Sequence, residues 1–166
     1  MKYAIEEYHQ KAVAKDAQHR TFLKWLKKKK PKDLDQVAQA FHKEVFEEIN
    51  CLDCANCCKT TGPLFTEKDI ERIASHLKLK PSQFIEKYLH KDEDNDWVLN
   101  KLPCPFLAID NYCLIYKVRP KACAEFPHTD RRKLYQINDL TIQNTKICPA
   151  AYEVVERMNA HYSNQK

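Results

Sequence analysis

With 166 residues, the chain is the size of one domain and can bury a real core without crosslinks. Its net charge of +5 is mild, and its single glycine excludes P-loop and dinucleotide fingerprints, each of which needs several. The same scarcity argues against hairpin-rich β folds, because glycine serves tight turns and positive φ.

No apolar run approaches the roughly 20 residues of a membrane span. The opening MKYAIEEYHQ is charged and carries no apolar h-region. The expected location is therefore cytoplasmic, where thiols stay reduced and disulfides rarely persist.

In chain order, Ile5, Tyr8, Ala12, His19, Phe22 and Leu26 recur at helical steps, free of glycine and proline, and predict one N-terminal helix. Lys27 to Lys30 precede Pro31 and suit a helix end, where positive charge complements the macrodipole. Net charge alone, without interleaved aromatics or a binding motif, makes nucleic acid an unlikely partner. Leu34, Val37, Ala38, Phe41, Val45 and Ile49 form the apolar stripe of a second helix that runs directly into Cys51.

Gly62-Pro63 closes the cysteine loop. Thr66 then caps a third helix, with Asp69 as a capping-box partner one carbon shorter than the preferred Glu. Phe65 and Ile70 stand where a hydrophobic staple would put them, and Ile70, Ile73, Ala74 and Leu77 are its core face. Pro81-Ser82 starts a fourth helix carrying Phe84, Ile85, Tyr88 and Leu89.

KDEDND, residues 91–96, reads as a solvated acidic loop and lacks the central glycine and terminal glutamate of an EF-hand. Trp97 to Leu99 suit a short strand. FLAIDNYCLIY, residues 106–116, predicts a β-hairpin turning at Asp110-Asn111. KLYQI, residues 133–137, predicts another strand, and Cys148-Pro149 opens a C-terminal helix burying Val154, Val155 and Met158.

Eight cysteines concentrate the chemistry. Cys51, Cys54, Cys57 and Cys58 form C-x2-C-x2-C-C; Cys104, Cys113, Cys123 and Cys148 are scattered behind. A C-x2-C loop curls two sulfurs onto one ion, as in zinc and iron–sulfur sites. Three cysteines at successive x2 spacing resemble the run that supplies three thiolates to a [4Fe-4S] cluster, whose remaining ligand precedes proline. Cys104-Pro105 and Cys148-Pro149 both have that form.

Neighbouring side chains point apart, so Cys57 and Cys58 suit two sites or two metals of one cluster. Eight thiolates divide into two four-sulfur sites, or one such site with spare thiols. The structural alternative for the opening run is long-range disulfide pairing, which a reducing compartment opposes. A redox C-x-x-C should start a helix after a strand, whereas this one follows a helix. Cys113, inside an apolar stretch, also suits a plain buried hydrophobe. At the helix N-cap, Cys148 is expected to have a lowered pKa, which suits a ligand or a nucleophile. His128, near Cys123, is the one histidine placed to add an imidazole, although a surface histidine is the preferred reading. No Cys–His or paired-carboxylate arrangement is visible at short range, so catalytic residues stay unassigned.

CLDCANCCK, LFTEKDIERIA, PCPFL (103–107) and CLIYKVRPKACAEFP (113–127) together resemble the CxxCxxCC cysteine-cluster family, the YkgJ-like zinc- or iron-chelating domain proteins. The likeness spans roughly residues 45 to 150. That family tends to have glycine near Asn56, where asparagine can supply the same positive φ. It also tends to have arginine where this chain has Ala124. Relatives include flagellin lysine N-methylases, longer chains associated with an iron–sulfur cluster. The resemblance implies metal chelation through the matching cysteines.

Taken together, the expectation is a mainly α fold with a small β-hairpin. An N-terminal helical extension (1–44) joins a cysteine-cluster metal-binding domain (45–166) as one compact unit. The cofactor expected is an iron–sulfur cluster, with electron transfer, sensing or an accessory role. The alternatives are a structural zinc-binding interaction module, or a cluster-dependent oxidoreductase or methyltransferase-related enzyme.

Overall fold

A computed structural model describes residues 4–163, so Met1–Tyr3 of the charged N-terminus lie outside it. The elements are α1 (Ile5–Ala14), α2 (Asp16–Lys29), α3 (Leu34–Glu48), α4 (Cys51–Cys54), α5 (Asn56–Thr60), α6 (Glu67–His76), α7 (Pro81–Tyr88), β1 (Leu89–Lys91), β2 (Trp97–Leu99), α8 (Lys121–Glu125), α9 (Asn138–Ile147) and α10 (Pro149–Ser163). Short 3-10 turns occupy Tyr116–Val118 and Leu134–Ile137. The chain is mainly helical with one small antiparallel hairpin. Among the described residues, no helix is long and apolar enough to cross a membrane.

Contacts divide the chain into two compact units, Met1–Cys54 with Pro127–Lys166, and Ala55–Phe126. In the first, the apolar stripes of α2 and α3 meet α9 and α10. Phe22, Leu26, Val45, Ile142, Val155, Met158 and Tyr162 are all essentially inaccessible there. The N-terminal segment is two helices instead of one. Lys15 (φ −97°, ψ 4°) ends α1 and precedes α2. This bridge-region conformation is open to any residue, so neither glycine nor proline marks it. The ladder resumes at once, with His19 N–H donating to the Lys15 carbonyl at 2.9 Å. The lysine run ends α2 as expected, Lys30 taking the left-handed conformation (φ 47°) just past it.

KLYQI is also different from expectation: Leu134–Ile137 is a 3-10 turn, not a strand. Among the described residues the only sheet is β1–β2, so nothing pairs with this segment. Its apolar Leu134 fills the first core while the turn leads into α9. Helix α9 had no sequence signal because its inner face is largely polar. Thr141, Asn144 and Thr145 are buried, each satisfied by a backbone carbonyl: Ile137, Pro127 and Ile142 respectively.

In the second unit, the Thr66–Asp69 capping box forms as expected and starts α6. Phe65, Ile70, Ile73, Phe84, Leu89, Leu99, Phe106 and Ile115 make its core. Within it the Phe84 and Phe106 rings stack, 6.1 Å apart and inclined by 8°. The hairpin lies earlier than residues 106–116. β1 and β2 pair as Leu89↔Leu99, His90↔Val98 and Lys91↔Trp97, so the acidic loop is their connection. Asp92 stabilises that loop by accepting the N–H groups of Asp94 and Asp96. Residues 106–116 do turn at Asp110-Asn111, with Asn111 at φ 68°, but carry a single bridge, Leu107↔Cys113. The stretch cannot bury one face: Ile109 and Leu114 are exposed, and the chain tightens into a 3-10 turn at Tyr116.

Candidate metal centre

The C-x2-C-x2-C-C run begins where α3 ends. Asn50 starts α4 by accepting the Leu52 N–H on its side chain (3.0 Å) and the Asp53 N–H on its carbonyl (3.1 Å). Cys51 and Cys54 are therefore one turn apart on a short helix, Cys54 buried and Cys51 exposed. The positive φ anticipated near Asn56 falls one residue earlier, at Ala55 (φ 50°, ψ 18°), and Asn56 instead begins α5. Cys57 and Cys58 sit on α5, both half-buried. The helix closes on the Cys57 carbonyl, which accepts the N–H groups of Thr61 (3.0 Å) and Gly62 (3.2 Å). Gly62, at φ 70°, is a position where the lone glycine is needed.

Within Ala55–Phe126, four cysteines from separate segments become neighbours. The Cys104 N–H donates to the Cys58 carbonyl at 2.8 Å, placing residues 46 positions apart side by side. Burial pushes the Cys104 thiol up to about 11. The N–H groups of Phe106 and Leu107 act against that shift, and the charges of Cys58 and Cys113 add to it. Cys123, on α8, is pushed up to about 12 by burial and then by Cys58, Cys104 and Cys113, with Arg119 opposing. Each of these sulfurs is thus close enough to feel its neighbours' charge.

The other unit holds a second set. Cys148 immediately precedes α10, and the N–H groups of Ala151 and Ala150 reach it as an N-cap position requires. Its pKa nevertheless runs opposite to the sequence expectation. Burial outweighs those N–H groups, Cys54 and Cys51 add repulsion, and the thiol is pushed up to about 12. His128 takes a left-handed backbone (φ 63°) in this same unit.

The donor chemistry of both sets fits a thiolate-binding metal. Buried sulfurs that oppose one another's ionisation are stabilised as thiolates by a cation. As the side chains are placed, no three His, Cys, Asp or Glu groups among the described residues converge to ion-holding distance. The sets are neighbourhoods of thiols and not closed coordination shells.

One arrangement had no sequence signal: the Thr129 hydroxyl lies 2.8 Å from His42 Nδ1, and Asp130 is 4.0 Å from His42 Nε2. The row resembles nucleophilic machinery, but Thr129 is fully buried and inaccessible to a substrate. Burial also holds the His42 pKa below its ordinary value, against Asp130.

The fold and its thiols thus define a mainly helical cysteine-cluster protein. The chain belongs to the CxxCxxCC family, described as a putative zinc- or iron-chelating domain, which matches residues 50–149. It is also similar to the uncharacterized protein MJ0661 of Methanocaldococcus jannaschii, 29% identical over 83 residues. That match covers 48% of this chain and 44% of the relative, so the chain spans under half of the relative's length. No solved structure matches it.

Proposed function

We propose that the cysteines hold an iron–sulfur cluster, with Cys58, Cys104, Cys113 and Cys123 as the thiolates of one site. The observation that supports this reading is the neighbourhood of those four thiols. The Cys104 N–H donates to the Cys58 carbonyl. Cys104 and Cys123, raised first by burial, each lie near enough to Cys58 and Cys113 to be raised further by their charge. Cys51, Cys54 and Cys148 are thiolates of a second set, and Cys57 is a ligand by its place in the x2 run. The run and the two Cys-Pro dipeptides favour iron–sulfur over a lone ion. The peptide N–H groups at Cys104 and Cys148 would stabilise ligand sulfur on either metal, and on a cluster would also tune its potential.

When bound, a cluster supplies one-electron chemistry, which suits electron transfer or redox sensing. The chain's own part is to shield Cys104, Cys123 and Cys148 in part from water and to hold the charge of Cys104 and Cys148 with peptide N–H groups.

Structural zinc is a second reading with its own support. Helices α5 and α8 are five residues each, too short to stand alone, and carry Cys57 with Cys58 and Cys123 respectively. A closed tetrathiolate zinc site would crosslink them without doing chemistry. Anaerobic purification with absorption spectroscopy, metal analysis and sulfide assay separates the two. The expected result is a coloured protein with iron and labile sulfide. A colourless protein with stoichiometric zinc and no sulfide assigns the site to zinc instead.

A further inference from the structure

Helix α8 carries Cys123 at its third position, yet no side chain of its own caps it and its N-cap residue is Pro120. The missing cap comes from α6. The Lys121 N–H donates to Asp69 Oδ1 at 3.1 Å. Asp69 is essentially inaccessible, and its two oxygens serve different helices. Oδ2 takes the Thr66 N–H (3.0 Å) and hydroxyl (2.7 Å), completing the cap of α6; Oδ1 serves the start of α8.

Arg72 ties the same corner together. Its Nη2 donates to Asp69 Oδ1 at 2.6 Å and to the Arg119 carbonyl at 2.9 Å, and its Nε donates to the Val118 carbonyl at 3.3 Å. One guanidinium thereby joins a buried carboxylate to the two carbonyls leading into Pro120 and α8. Only a planar fork with several donors can do this; a lysine ammonium cannot hold the same geometry.

We infer that Asp69 and Arg72 are positioning residues for the Cys123 thiolate, locking α8 against α6 so that its sulfur faces those of Cys58, Cys104 and Cys113. The inference rests on the metal reading above. It also explains a departure from the usual capping box. Glu is favoured at this position for capping alone, but a longer side chain would carry Oδ1 past the Lys121 N–H. Asp69 can serve both helices because it is short.

Asp69→Glu and Arg72→Lys separate the roles. The first keeps an acid that can cap α6; the second keeps the charge at a half-exposed position where folding is little disturbed. The full chain is loaded with cobalt(II), and its thiolate charge-transfer spectrum, release rate to a chelator and Tm are measured, with Cys123→Ser as reference. Arg72→Lys is expected to hold Tm near that of the unchanged protein, whereas Asp69→Glu, lengthened at an inaccessible position, is expected to lower it and is compared at equal fraction folded. Their metal release should be about 10–100-fold faster, the range for outer-sphere partners, and their spectra should shift toward that of Cys123→Ser. Unchanged spectra and release rates in Arg72→Lys overturn the inference while the metal reading stands. If the unchanged protein shows thiolate charge-transfer absorption neither with cobalt(II) nor after anaerobic reconstitution with iron and sulfide, the metal reading fails and takes the inference with it.

Discussion

The Cys104 peptide N–H donates to the Cys58 carbonyl at 2.8 Å, so two cysteines from distant parts of the sequence are registered through their backbones. Backbone registration fixes where both side chains start, independent of rotamer. Ligands of one site then behave as a unit. Cys58→Ser and Cys104→Ser should each empty the same site, and the double variant should lose no more metal than either single. Cys58→Ser with Cys148→Ser should lose about the sum of the two single losses. Metal counts per chain check this; additive loss for Cys58 and Cys104 would separate them.

The thiol pKa values set a pH dependence with a definite sign. In the unfolded chain a cysteine titrates near 8.5, whereas Cys104 is raised to about 11 and Cys148 to about 12 by burial first. A raised pKa contributes stability that is fully present below the unfolded value and is lost as pH rises through the folded one. Metal-free protein should therefore weaken between about pH 8.5 and 12, readable as falling urea midpoints. Metal uptake runs the other way. Thiols must give up protons to bind, so apparent affinity should fall about tenfold per pH unit for each proton displaced on acidification.

The sequence carried the long helices because their inner faces are apolar at regular steps: Ala38 and Val45 on α3, and Val155 and Met158 on α10, are buried as the pattern requires. Capping chemistry at Thr66 and Asp69 was equally local, and so legible. What escaped depends on non-local partners. Helix α9 buries Asn144 against the Pro127 carbonyl, and a polar residue used that way erases the periodicity. Residues 106–116 are two apolar runs about an Asp-Asn turn, as a hairpin would be, yet find one bridge, because composition does not say whether the strands pair. Cysteine spacing marked the candidate ligands. It could not show that Cys58 lies near Cys104, Cys113 and Cys123, since that grouping comes from tertiary contacts such as the Cys104 N–H bond to the Cys58 carbonyl.

Two left-handed residues flank the cysteine pair and predict different responses. Gly62, at φ 70°, is free of strain, and Gly62→Ala would bring a Cβ to 3.3 Å from the Leu102 Cδ2. That contact is the end of a flexible side chain, so the cost is mostly backbone, about 1–2 kcal/mol. Ala55 already carries that cost at φ 50°. Ala55→Gly should relieve it, offset by a lost buried methyl and greater unfolded-chain entropy, for a net change within about 1 kcal/mol of zero. Chemical denaturation of both variants tests the contrast. A Gly62→Ala protein as stable as the original would show that the turn does not need its glycine.

Phe106 links the second core to the thiols. Its ring stacks on Phe84 and lies 4.9 Å from that of Tyr88, while its peptide N–H reaches the Cys104 sulfur two residues back. Phe106→Ala opens a cavity at the Phe84 face and should cost about 3–5 kcal/mol. It also frees the turn that aims the N–H at sulfur, so metal release should quicken together with the loss of stability. Phe84→Ala removes a comparable ring from the same core but leaves the Cys104 turn's own side chain in place. If core volume alone governs metal retention, the two variants should release metal alike at matched stability. If the turn at Cys104 matters in its own right, Phe106→Ala should release it faster, and chelator-release rates compared at equal fraction folded decide between them.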